Sequence, residues 1–97
     1  SGQIPVDPET GRLVEGIKKE THQVMKNLKA ILKAADMDFG NAVKASIFLK
    51  SMDDFAEVNE IYASYFENES YPARETVQVS CLPKNVDVEI SMIAFKD

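Results

Sequence analysis

From Gly16 to Ala35 the apolar residues Ile17, Val24, Met25, Leu28, Ile31, Leu32 and Ala35 recur at helical spacing, while Lys18, Lys19, Lys26, Lys29 and Lys33 fill much of the remaining surface. Such a stripe is stable in water only when something covers it. A second stripe follows at Phe55, Val58, Ile61, Tyr62, Tyr65 and Phe66. Its helix is predicted to start at Ser51-Met52-Asp53-Asp54, where a hydroxyl followed by a carboxylate has the form of a capping box, and to run to about Phe66. Between the stripes the period changes. Val43, Ala45, Ile47 and Leu49 alternate with Lys44, Ser46, Phe48 and Lys50, which predicts a strand over Ala42–Lys50. Two one-sided helices need one sheet face to lie on, so the expected fold is a two-layer α+β domain.

The ends of the chain complete the order strand, helix, strand, helix, strand, strand. Ser1 to Val6 reads as a short extended piece broken by Pro5, and Asp7-Pro8-Glu9-Thr10-Gly11 as a turn. The run from Tyr71 to Phe95 reads as a hairpin, with Leu82-Pro83-Lys84-Asn85 as its turn and Arg74 and Glu89 on the more polar sides of its two strands. Val77, Val79 and Cys81, with Val88, Ile90 and Met92, are expected to face the helices. Thr76, Gln78 and Ser80, with Glu89, Ser91, Ile93 and Phe95, are expected on the other face beside Phe48. Large apolar residues on an uncovered face suggest a partner surface, most simply a second copy of the chain.

Ninety-seven residues make a single domain over 1–97, and 44% hydrophobic content suffices for one core. A net charge of −5 argues against a nucleic-acid surface. The lone Cys81 cannot close an internal disulfide, which points to a reducing, cytoplasmic setting, and its alternation with valines reads as a small buried hydrophobe. No apolar run is long enough to cross a bilayer, and there is no basic-then-apolar leader. A start at Ser1 without Met reads as a fragment or a processed chain. No metal-ligand spacing, phosphate-binding loop or nucleophile–histidine arrangement is present, and His22 stands alone on a charged helix face, so neither metal nor cofactor is expected.

Two residues remain. The planar fork of Arg74 suits a carboxylate, or it pairs with a nearby acid at a sheet edge. Glu89 serves as a general base or orients a water, or it is a solvated strand carboxylate. In the expected hairpin the two lie roughly 16 Å apart at about 3.3 Å per residue. A small ligand spans that distance only if a neighbouring subunit closes it.

Several segments together resemble the Rid family of reactive-intermediate deaminases, also called the YjgF family, over essentially the whole chain. They are Ser1-Gly2-Gln3-Ile4-Pro5, Asp7-Pro8-Glu9-Thr10-Gly11, Asp53-Asp54-Phe55, Asn59-Glu60-Ile61-Tyr62, Tyr65-Phe66, Pro72-Ala73-Arg74 and Leu82-Pro83-Lys84. The resemblance implies a chorismate-mutase-like fold with two helices on one face of a mixed sheet, and a homotrimer with sites between subunits. It also implies cofactor-free hydrolysis of 2-imino or enamine acids to 2-keto acids and ammonia. In that family the arginine matching Arg74 holds the substrate carboxylate and the glutamate matching Glu89 positions water. Backbone at Gly2 lines the pocket, and backbone near Gly2 or Thr76 is a candidate donor to developing charge.

Thr76 stands where the family often has cysteine, so a thiol is not required. Ser91 replaces a frequent glutamate. Family members carry a further N-terminal segment with a pocket tyrosine, which implies an N-terminally short domain here. Two other functions are compatible with this resemblance: a non-catalytic module binding a 2-keto acid, and a ribonuclease or translation inhibitor, which the acidic balance disfavours.

Overall fold

The computed structural model describes residues 2–97; Ser1, the first residue of the expected extended piece, lies outside the described residues. The elements are β1 (Gly2–Gln3), α1 (Ile17–Ala34), β2 (Ala42–Leu49), α2 (Phe55–Ser64), β3 (Ala73–Gln78) and β4 (Val88–Ala94). The helices fall where the apolar period places them. Gly16, just before α1, has φ of +99°, a conformation natural only to glycine. Ser51 does accept the Asp53 N–H at 3.2 Å, but it opens a 3-10 turn over Met52–Asp54, and α2 proper begins at Phe55.

The four strands form one mixed sheet in the order β1-β4-β2-β3. β2 pairs parallel with β3 and antiparallel with β4, and β1 pairs antiparallel with β4. Both helices pack on one face. The core joins Val24, Met25, Leu28 and Leu32 of α1 and Val58 and Tyr62 of α2 to Ala45, Ile47, Leu49, Val88 and Ile90 of the sheet.

The C-terminal run is therefore not a hairpin. β3 follows β2 through a helix, and a helical crossover delivers a parallel neighbour. β4 then returns on the far side of β2. The Val79–Asp87 connection crosses the end of β2, held by Val79 N–H to Leu49 C=O at 2.9 Å and Lys50 N–H to Asp87 C=O at 3.0 Å. Leu82–Asn85 turns as expected, with Lys84 and Asn85 at φ of 56° and 57°, but it serves this crossing rather than a strand pair.

The facing of β3 is also the reverse of the expected one. Register partners share a face, so Arg74, Thr76 and Gln78, opposite Ala45, Ile47 and Leu49, lie on the helix side, and Val77, opposite Phe48, lies on the open side. β3 is an edge strand with no buried residue, so no core contact enforces the apolar half of its alternation. Cys81 lies in the exposed connection, outside any strand, and is not a core residue. β4 faces as expected, with Val88 and Ile90 inward and Glu89, Ser91 and Ile93 outward. The open face carries Val77, Ile93 and Phe95 at 41%, 60% and 65% exposure.

Candidate active site

Arg74 projects from the edge strand β3 toward α2, where Phe55, Asn59 and Tyr62 present one face of the helix to it. Its guanidinium carbon lies 5.6 Å from the Phe55 ring centre and 5.7 Å from that of Tyr62, and its Nη1 donates to Asn59 Oδ1. Among the described residues no carboxylate pairs with it: the ion pairs there are Lys44–Glu75 and Lys96–Asp36. The reading of Arg74 as an edge arginine matched to an acid is thus replaced by an arginine seated on two rings and a neutral amide.

Arg74, Asn59, Tyr62, Ala63, Tyr71 and Pro72 line a cavity of about 310 Å³. Burial pushes the Tyr62 phenol up to about 12 against the opposing pull of the Arg74 cation, so it stays neutral at ordinary pH. Among the described residues, two buried polar atoms on this side have no hydrogen-bond partner, Tyr62 Oη and Thr76 Oγ1. A buried hydroxyl left unpaired costs about 1–3 kcal/mol, so these are places where a water or a ligand group gains.

Gly2 and Glu89 come together elsewhere. Gly2 pairs with Ser91 across β1 and β4, on the open face, and the half-buried Glu89 carboxylate lies against it. A Cβ added at Gly2 would collide with Glu89 Oε2, so only glycine lets the carboxylate lie so close to the backbone. The segment that carries Gly2 is held by Asn27 of α1, whose Nδ2 donates to Val6 C=O at 2.9 Å and Ile4 C=O at 3.3 Å.

The four residues singled out by sequence therefore fall into two pairs. Arg74 and Thr76 lie on the helix side at the β3 edge, while Gly2 and Glu89 lie on the open side at the β1 edge. Two strand spacings and three residues of offset put the Arg74 and Glu89 backbones ~14 Å apart. Within one chain they do not form one site. Asn59 and Tyr62, both unassigned to a site by sequence, complete the Arg74 pocket. Asn59 could have been found, since it is the polar residue on the side of the second helix that carries Phe55 and Tyr62.

A second groove of about 520 Å³, between Lys29 of α1 and the rings of Phe39, Tyr65 and Phe66, contains none of these four residues. Among the described residues no group of three or more His, Cys, Asp or Glu side chains is placed to hold a metal ion.

Two helices on one face of a mixed four-stranded sheet is the fold of the proteins to which this chain is similar. The family described as Endoribonuclease L-PSP matches residues 1–96. A RutC family protein of Pyrococcus horikoshii is 53% identical over 98 residues, covering 100% of this chain and 77% of that protein. The 2-iminobutanoate/2-iminopropanoate deaminase of Salmonella typhimurium is 45% identical over 98 residues, covering 99% of this chain and 77% of that protein. The crystal structure of the YjgF gene product from E. coli superposes with a TM-score of 0.94 at 41% identity, over 100% of this chain and 78% of that one. The chain belongs to this family and is a RidA-like Rid protein. Among the described residues no helix is long and apolar enough to cross a membrane.

Proposed function

We propose that this chain is a cofactor-free deaminase that hydrolyses 2-imino and enamine acids of the 2-iminobutanoate and 2-iminopropanoate type to 2-keto acids and ammonia, at sites shared between the subunits of a homotrimer. The observation that carries the reading is Arg74, a cation lining a cavity with no acid partner among the described residues. A planar carboxylate is the ligand that its free fork fits. The similarity to a protein named 2-iminobutanoate/2-iminopropanoate deaminase supports the substrate class.

In this reaction Arg74 of one copy binds the carboxylate and presents the imine carbon. Glu89 of the next copy orients a water against that carbon and accepts its proton as the C–O bond forms. The proton passes to the amino nitrogen. As the C=N π pair has moved to nitrogen, Glu89 next carries the hydroxyl proton to the same nitrogen; the C–N bond breaks, ammonia leaves with its electron pair, and the O–H pair closes the carbonyl. Backbone donors near Gly2 or Thr76 stabilise developing charge. Positioning supplies most of the acceleration, since an aligned water removes the entropic cost of a bimolecular encounter.

The placement of the two pairs at opposite edges of the sheet supports shared sites. A head-to-tail contact sets the β3 edge of one copy near the β1 edge of the next, and such contacts close into rings. The exposed Val77, Ile93 and Phe95 give the open face a reason to be covered.

Arg74→Ala is expected to abolish turnover of 2-iminobutanoate while the native mass stays three times that of the 10.8 kDa chain. Unchanged turnover in that variant overturns the assignment. Tight binding of 2-ketobutyrate by the wild-type protein without faster ammonia release would make it a binding module instead.

A further inference from the structure

Arg74 is exposed on an edge strand, where a side chain with several rotatable bonds would ordinarily sweep a wide arc. It does not do so here, because three residues on one face of α2 hold it. Phe55 and Tyr62 offer ring surfaces to the guanidinium, and Asn59, half-buried between them, accepts one of its N–H groups. The usual partner for such an arginine is a carboxylate, and acids are plentiful in a chain with 16 Asp and Glu against 11 Lys and Arg. Glu60 is the very next residue on α2. Yet the residue that meets the fork is an amide.

The difference between amide and carboxylate decides what the pocket can bind. An acid at position 59 would grip Arg74 more firmly, but it would cancel the charge and occupy the fork bidentately. The amide takes one N–H, fixes the plane of the guanidinium, and leaves the remaining donors and the whole positive charge for a ligand. The rings add attraction without adding counter-charge. Tyr62, held neutral by burial, does not compensate the cation either.

We infer that Asn59 is a positioning residue that orients Arg74 while keeping it uncompensated, so that the site selects free carboxylates and rejects the corresponding esters and amides. This rests on the reading of the Arg74 pocket as the place where a 2-imino acid binds.

The test compares Asn59→Ala, Asn59→Asp and Arg74→Ala in the whole protein, with 2-iminobutanoate turnover, calorimetric binding of 2-ketobutyrate and thermal melting as readouts. With orientation lost, Asn59→Ala raises KM by about 5–10-fold and changes kcat by less than about 3-fold. Asn59→Asp raises KM by at least ~50-fold, because a fixed counter-charge now competes with the ligand, while melting no lower than wild type. The 2-ketobutyrate affinity falls in the same order. If Asn59→Asp is no worse than Asn59→Ala, or if kcat falls in place of a rise in KM, the positioning role is overturned. Arg74→Ala separates the two ideas. If it retains turnover, the proposed function itself fails; if it loses turnover while the Asn59 variants behave like wild type, only the role of Asn59 fails.

Discussion

Glu20, on the first turn of α1, is only 4% exposed, and its Oε1 accepts the Asp87 N–H at 2.9 Å. Burial, and then the neighbouring Asp87 carboxyl, push its pKa from 4.5 to about 7. The folded state therefore favours the protonated acid. Stability from this group is complete below pH 4.5, declines as pH rises, and is lost once pH passes about 7. Glu20→Gln keeps the shape and the neutral charge at every pH. It is expected to match wild type near pH 5 and to exceed it at pH 8 by an amount on the order of 2 kcal/mol, read from denaturant unfolding at the two pH values. Equal pH slopes for both proteins would remove the buried acid from the account. Gly2 supports a second expectation at this scale. In Gly2→Ala the new methyl displaces the Glu89 carboxylate, so turnover falls at least tenfold with little change in melting. Single residues were only partly legible in the sequence. Arg74 and Glu89 stood out by charge and strand position, whereas Asn59 was hidden because the helical stripe was read for its apolar members alone.

At the scale of elements, α1, α2 and β2 were legible because their periods are enforced by the core. Ile47 and Leu49 are 1% and 0% exposed, and a slip of one residue in β2 would turn both into water. β3 lacks that discipline. Its residues meet solvent on much of both sides, and its partner is fixed by the α2 crossover, a long-range event that leaves no local mark. The turn chemistry at Pro83–Asn85 was real but did not reveal which strands it separates. That is why the inferred hairpin was wrong while the separation of Arg74 from Glu89 was not: β2 lies between them instead of a shared ladder.

For the whole molecule, net charge and the open face showed in the sequence, but the means of covering that face did not. Under the proposed assembly each site takes Arg74 from one copy and Glu89 from another. Arg74→Ala and Glu89→Gln proteins, each inactive alone, are then expected to regain activity when dissociated, mixed in equal amounts and reassembled. Random mixing leaves about a quarter of the contacts with both groups intact. No recovery in a mixture whose native mass confirms exchange would place the whole site within one chain.

The opposite-edge arrangement also has a consequence for inheritance. Under the proposed assembly a chain damaged at its β3 edge still lends a sound β1 edge to its neighbour, so two alleles with different lesions are expected to complement, while two copies of the same lesion are not. In the proposed ring a lesion at both edges would harm two sites at once, and its effect in a mixed population would exceed its share of the chains.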